Sequence, residues 1–271
     1  MKNKLIYIIG LYLIFSACER TNDSDETDIL VLQAYLYQHE PVTEVSLSHT
    51  ISFQSDDTIH QLLTGAEMYI TWNSNDYYLV NDDDGYYYYP SDDLQILEDN
   101  TYSITATYKG TTLTSTTTVP AKPTGLTFSS KTLYFDESFS PMMPGSQDEN
   151  EIEISWDNPD KEYFYVVIQN IEEDPESIEL GFTPPDGGPN FRFLSQPFIT
   201  DTYVIRTLMS LQQYGHHVVK VYKVNEEYAY LYENREQDSR SLSEPFTNIN
   251  NGLGIFTAFS SMQDTINVLQ E

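Results

Sequence analysis

The chain has 271 residues, 42 of them acidic and 13 basic, for a formal charge of −29 at pH 7. Such a chain repels nucleic acid and anionic lipid head groups, and no basic patch offsets that charge. Disorder is the other reading of high charge, and 22 Tyr, 13 Phe and 2 Trp exclude it by supplying a core.

The N-terminus carries Lys2 and Lys4, then an uncharged apolar run from Leu5 to Phe15, then the small pair Ser16-Ala17. This reads as a secretory signal peptide over residues 1–17, its apolar run too short to span a bilayer. Cys18 follows at once and is the one cysteine of the chain, so it has no internal disulfide partner. A small pair directly before cysteine resembles the lipobox of bacterial lipoproteins, with Phe15 where the best-known examples carry Leu. The resemblance marks Cys18 as the lipidation site, and several acyl chains on one residue anchor a protein stably. Residues 18–28 are polar and acidic and read as a flexible tether. Acidic stretches at this place resemble the surface-export signals of Bacteroidota-type lipoproteins. The expected location is therefore the outer membrane, lipid-anchored, at the cell surface.

Beyond the tether, short β-branched and aromatic runs alternate with Asp, Asn, Gly and Pro, and helical periodicity is almost absent. Strands are expected over Ile29–Leu36, within Val42–Phe53, over Ala66–Trp72 and over Tyr77–Val80. Asn81-Asp82-Asp83-Asp84-Gly85 fails as a calcium-binding EF-hand, because Val80 and Ser91 would occupy the first and twelfth positions and neither is a carboxylate. Asp84-Gly85 instead predicts a hairpin turn into Tyr86–Tyr89. Thr101–Tyr108 and Thr111–Val119 predict a second hairpin around Lys109-Gly110. Pro120-Ala121-Lys122-Pro123 then stops the sheet. About seven strands lie before it, enough for a small sandwich. The N-terminal β-sandwich is placed at 29–120 and a C-terminal mainly-β domain at 124–271.

The second half opens with Leu126-Thr127-Phe128, followed by a polar break at Ser138–Asn150. Ile152, Ile154 and Trp156 alternate onto one face, and Tyr163–Gln169 reads as a buried strand. Thr183–Asn190 reads as a loop, and Thr202–Leu208 and His217–Val224 as strands. Val224–Gln237 is the one expected helix, with Tyr228, Leu231 and Tyr232 at helical spacing. The fold class is all-β: two immunoglobulin-like β-sandwich units, with one short helix in the second.

Catalytic patterns are missing. The five histidines, His39, His49, His60, His216 and His217, form no HExxH, and on a strand His216 and His217 point to opposite faces. Gly252-Leu253-Gly254 lacks the third glycine of a dinucleotide loop. No catalytic residue, cofactor or metal ligand is assigned. Asp57-Thr58-Ile59 and Asp264-Thr265-Ile266 resemble the O-glycosylation acceptor of Bacteroidota extracytoplasmic proteins, which makes Thr58 and Thr265 candidate acceptors.

The C-terminal stretch Ser243–Phe256 carries Pro245-Phe246, Asn248-Ile249, Gly252, Gly254 and Phe256. It resembles the closing motif of DUF4249, a Bacteroidota outer-membrane lipoprotein family of unknown function, with a shorter spacing between Phe246 and Asn248. Gly65–Ile70, Asn100–Ile104 and Trp156-Asp157-Asn158-Pro159 resemble further segments of that family. The resemblance implies a lipoprotein encoded beside TonB-dependent receptors, and it supplies no catalytic residues. The motif residues Pro245, Phe246, Asn248, Gly252, Gly254 and Phe256 are read as structural, with the glycines permitting a tight path and Ile255 and Phe256 returning inward. The leading functional expectation is a non-catalytic surface binding or accessory module, with a TonB-dependent receptor as partner. The alternatives are a hydrolase whose carboxylates converge only in three dimensions, and a structural or adhesive surface protein.

Overall fold

A computed structural model describes residues 29–50, 61–135, 151–178, 191–206, 210–233 and 246–270. Cys18, Thr58 and Pro245, with the signal and tether, lie outside the described residues. The chain is mainly β. The first nine strands are β1 (Leu30–Tyr37), β2 (Ser46–His49), β3 (Glu67–Trp72), β4 (Asn75–Tyr78), β5 (Val80–Asn81), β6 (Tyr87–Tyr88), β7 (Thr101–Tyr108), β8 (Thr111–Thr118) and β9 (Thr127–Phe128). β10 (Thr132–Phe135), β11 (Glu151–Ser155), β12 (Tyr163–Asn170), β13 (Arg192–Leu194), β14 (Thr202–Arg206) and β15 (Gly215–Val224) follow. Helix α1 (Glu226–Glu233) and β16 (Leu253–Gln270) close the chain.

β16 organises the whole molecule. Its 18 residues span about 60 Å at strand rise. It is the central member of a seven-stranded sheet ordered β13-β12-β15-β16-β1-β2, with β10 also paired to its C-terminal end. β1 runs parallel to its first half and β15 antiparallel to its second. Strands from both sides of Pro120–Pro123 thus share one sheet.

Two cores lie on the same face of that sheet. Leu32, Ala34 and Leu36 pair with Gly254, Phe256 and Ala258, and these chains meet Met68, Ile70, Ile104 and Leu113 from the four-stranded sheet β4-β3-β7-β8. Ten residues further along β16, Ile266 and Val268 join Val219 and Val221 beneath Ile152, Ile154 and Trp156, which belong to or follow the three-stranded sheet β14-β11-β9. Side chains alternate with a period of two, so Phe256, Ala258, Ile266 and Val268 share one side of β16. The result is two sandwiches on a common floor. Residues 29–119 do not complete the first one: Ile249, Phe256 and Ala258 from the C-terminal end fill it.

Pro120–Pro123 is the place where the chain crosses from one core to the other. Both prolines are buried. The Ser260 hydroxyl donates to the Ala121 carbonyl at 3.0 Å, pinning the crossing between Ala258 of the first core and Met262 of the second.

The turns follow their expected chemistry. Lys109 and Gly110 have φ of 46° and 89°, the paired positive values of a two-residue hairpin turn. At Asp84-Gly85 the Asp82 carboxylate accepts the N–H groups of Asp84 and Tyr86 at 3.0 and 2.8 Å, and β5 pairs with β6 across the turn. Three strands were not marked in the sequence: β10, β13 and β16. Polar Ser260, Ser261, Gln263 and Asp264 interrupt β16 because its middle lies between the cores, under the crossing chain.

Candidate functional site

Of the closing motif, Asn248, Gly252 and Gly254 make close contacts within the fold. Gly254 has φ of 113°, and a β-carbon there would lie 2.0 Å from the Leu32 carbonyl oxygen. Gly252 has no positive φ; what it needs is space, since a β-carbon would meet Leu113 Cδ2 at 2.3 Å and the Leu30 oxygen at 2.7 Å. Asn248 acts as one rung of an extra strand. Its Nδ2 donates to the Phe256 carbonyl at 2.7 Å, and its Oδ1 accepts the Phe256 N–H at 2.9 Å. Its own carbonyl accepts the Ser115 hydroxyl at 2.7 Å, and Asn250 bridges to Thr114. Segment 248–250 therefore links the open edge of β16 to β8. Phe246 lies outside this lock, with its ring 5.5 Å from that of Tyr230.

The candidate site is an open cleft of about 620 Å³ at the junction of the sandwiches. The crossing segment contributes Lys122, Pro123 and Thr124, and the Trp156-Asp157-Asn158-Pro159 turn contributes the facing wall. Trp156, 4% exposed, and Phe164 line the cleft with rings 5.5 Å apart. The turn is locked from within. Asn158 Oδ1 accepts the Glu162 N–H at 2.8 Å, while Nδ2 donates to the carbonyls of Glu162 and Ile199. The Thr124 hydroxyl donates to Asp157 Oδ2 at 2.9 Å, and Gly125 permits this approach because a β-carbon there would lie 2.5 Å from the carboxylate. Lys223, from the face of β15 that carries the cores, pairs with Glu162 at 2.5 Å. Two lysines thus stand among Asp157, Asp160, Glu162 and Asp201 over an aromatic base. Both rings are buried, with Phe164 only 1% exposed, so the groove presents chiefly its lysines and carboxylates to solvent.

The opposite face of the large sheet carries an aromatic cluster under α1. Tyr165 and Tyr222 stack at 4.7 Å, Tyr37 stacks on Phe259 at 4.9 Å, and Tyr228 of the helix meets Phe259 edge-on at 4.9 Å. Burial pushes the Tyr37 hydroxyl up to about 12, and it raises Tyr165 and Tyr228 as well. Glu227 accepts the hydroxyls of Thr117 and Thr257, tying the helix to β8 and β16.

His216 and His217 do point apart. His216 is exposed and its Nδ1 meets Glu172 at 2.7 Å. The backbone N–H of His216 and then its ring hold the Glu172 carboxyl below its ordinary value. His217 is buried, and burial lowers its pKa. Among the described residues no group of three His, Cys, Asp or Glu is placed to hold a metal ion. Thr265 lies exposed on β16 beside Asp264, whose carboxylate is held low by Lys131. Among the described residues no helix is long and apolar enough to cross a membrane. The cleft was not foreseen: only its Trp-Asp-Asn-Pro wall stood out in the sequence, and Lys122, Asp201 and Lys223 are too distant along the chain to be grouped.

Fold and site together define a mainly β protein of two sandwiches on a shared sheet, closed by a Gly-rich C-terminal lock. The chain belongs to the DUF4249 family, a domain of unknown function, which it matches over residues 19–265. No curated protein matches it. Two solved structures of titin are similar at 9% identity: one described as an anomalous substructure of Titin-A168169, covering 90% of this chain and 96% of that one with a TM-score of 0.21. The other is of titin domains A168-A170, covering 89% of this chain and 66% of that one with a TM-score of 0.20.

Proposed function

We propose that this chain is a lipid-anchored, cell-surface accessory module that docks a partner protein through the junction cleft. The observation that carries the docking is the cleft itself, whose two lysines and four carboxylates stand over Trp156 and Phe164 on locked turns. A groove that is open and charged suits a protein segment better than a small apolar ligand, which binds in enclosed, mostly apolar pockets. The Cys18 lipobox and the acidic stretch after it support anchoring at the outer membrane. A TonB-dependent receptor is the partner the family resemblance suggests. Residues 19–28 are polar and acidic, a composition that suits a tether reaching a receptor's outer loops.

Cross-linking in intact cells tests the reading. A photoreactive residue at Asp160, in the cleft, is expected to capture an outer-membrane receptor. The same group at Lys109, on the far hairpin, is expected to capture none. Capture of no receptor from the cleft, with turnover of a defined substrate by the purified chain, would replace this reading with the hydrolase one.

A further inference from the structure

The outer face of the sheet β4-β3-β7-β8 has an unusual composition. Charged residues make up 20% of the chain, yet β7 and β8 contain none in sixteen positions. Inward, Tyr102, Ile104 and Ala106 of β7 and Leu113 of β8 enter the first core, while the buried hydroxyls of Ser115 and Thr117 donate to the Asn248 carbonyl and to Glu227. Their outward positions are all hydroxyls: Thr101, Ser103, Thr105 and Thr107 on β7, opposite Thr118, Thr116, Thr114 and Thr112 on β8. β-Propensity favours Thr, but it favours Val, Ile and Tyr as well, so propensity alone does not select a hydroxyl at every outward position. Three of the four rungs are hydrogen-bonded across the strands, at 2.9 Å for Thr101 with Thr118, 3.0 Å for Ser103 with Thr116 and 3.1 Å for Thr107 with Thr112. On the fourth, Asn250 Nδ2 donates to Thr114 Oγ1 at 3.3 Å.

β3 and β4 extend the plate. Tyr69 stands beside Thr105 and opposite Tyr78, with the two rings 5.3 Å apart and Tyr78 53% exposed. Within β3 and β4 the charged residues are Glu67 and Asp76, and Asp76 already accepts the Thr71 hydroxyl at 2.7 Å. At ordinary strand spacing and rise the plate measures about 14 by 20 Å.

We propose that this plate binds a neutral oligosaccharide. Each bonded hydroxyl pair spends one O–H on its partner and keeps one O–H and several lone pairs, so every rung both donates and accepts. Sugar hydroxyls have the same dual character. Tyr69 and Tyr78 add rings on which a sugar's C–H face packs. Charge selects against other ligands. An anionic polymer is repelled by a chain of net −29. A cationic ligand is drawn to the carboxylates elsewhere rather than to the face that lacks them. The ladder behind the plate is continuous and backed by the core, so little ordering cost attends binding. The inference rests on the chain being a binding module, and it does not depend on the junction cleft or on any receptor.

The test is affinity electrophoresis of the mature chain in gels cast with neutral glycans (α-glucan, β-glucan, mannan, xylan) or with anionic ones (alginate, polygalacturonate). At least one neutral glycan is expected to retard the chain, and neither anionic polymer is. Tyr78→Ala and Thr116→Val are each expected to weaken the retardation about tenfold with the melting temperature unchanged. Thr116→Val keeps the shape and the strand preference, so a loss of binding would report the hydroxyl. Retardation by no neutral glycan, by the anionic polymers alone, or to the same degree in the Tyr78→Ala, Thr116→Val double variant, overturns the proposal. Failure of receptor cross-linking at Asp160 leaves this result untouched, so the two readings fail separately.

Discussion

The Cα of Gly254 lies against Leu32 so closely that a β-carbon would stand 2.0 Å from the Leu32 carbonyl oxygen. That contact is where β16 comes alongside β1, the parallel pairing that joins the C-terminal end to the first core. Backbone cannot retreat here as a flexible side chain could. Gly254→Ala combines this collision with a φ of 113°. The expected cost is on the order of 3–5 kcal/mol, from strained φ and overpacking together. Gly252→Ala meets the movable end of Leu113 and, less closely than at Gly254, the Leu30 backbone oxygen, and without a positive φ it is expected to cost less, about 1–3 kcal/mol. Urea denaturation of the two variants checks the order, and equal midpoints would refute it.

Asn248 supplies both hydrogen bonds of the missing rung at Phe256. Asn248→Ala leaves a buried N–H and a buried carbonyl without their partner, so a loss of about 2–3 kcal/mol is expected. Hydrogen exchange provides a local reading: the Phe256 amide should exchange faster in the variant, while amides of β12 keep their protection until global unfolding. No change at Phe256 would show that water replaces the side chain at little cost.

Much of the architecture was open to sequence reading, for physical reasons that differ by segment. β7 alternates cleanly and β8 is a β-branched threonine run, and Lys109-Gly110 between them made both ends and the turn legible. α1 was marked by Tyr228, Leu231 and Tyr232. β16 was not legible, because a strand that serves two cores in succession loses its alternation between them. Ser260 and Asp264 stand on the core-facing side, but Ser260 meets the crossing chain and Asp264 reaches Lys131. The sharing of β16 was hidden for the same reason, so the proline segment read as a boundary. Nor could the pattern Gly252-Leu253-Gly254 say which glycine needs a positive φ. The hydroxyl rows of β7 and β8 were visible as threonines, and their pairing into rungs follows only once the turn sets the register.

His217 links the fold to pH. Asn170 Nδ2 stands 3.4 Å from its Nε2 and the Gly215 carbonyl 3.0 Å from its Nδ1, a pairing that favours the neutral ring with the proton on Nδ1. Burial lowers its pKa below 6.5, against the weaker opposing pulls of the Gly215 carbonyl and then Glu172. Between the lowered folded value and 6.5 the unfolded chain binds more protons than the folded one, so stability falls as pH falls through that window. The slope from this one group reaches at most about 1.4 kcal/mol per pH unit. His217→Gln is expected to flatten the dependence just below pH 6.5. Glu172, also held below its ordinary value, acts in the separate carboxylate range beneath 4.5. A variant that keeps the full slope between pH 6.5 and 5.5 would assign it to another group.

Cys18 carries the proposal about location. Residues 1–17 have the charge, length and small-residue ending of an export signal, and no segment of the chain has the roughly 20 apolar residues a spanning helix needs. On this proposal, acyl chains on the one cysteine hold the chain at the membrane. Its net charge of −29 argues against adhesion to anionic lipid by charge. Cys18→Ala should therefore move the protein from the membrane fraction to the soluble one, with the fold intact by circular dichroism. Mass spectrometry of the wild type should find acyl chains on an N-terminal cysteine. Acidic residues at 19, 23, 25, 26 and 28 supply a second handle. Replacing them with Asn, Gln or Ser should keep the lipid and lower the share of protein that external protease cleaves in whole cells. A Cys18→Ala variant that still sediments with membranes, beside a wild type free of lipid, would mean that something other than an acyl anchor holds the chain there.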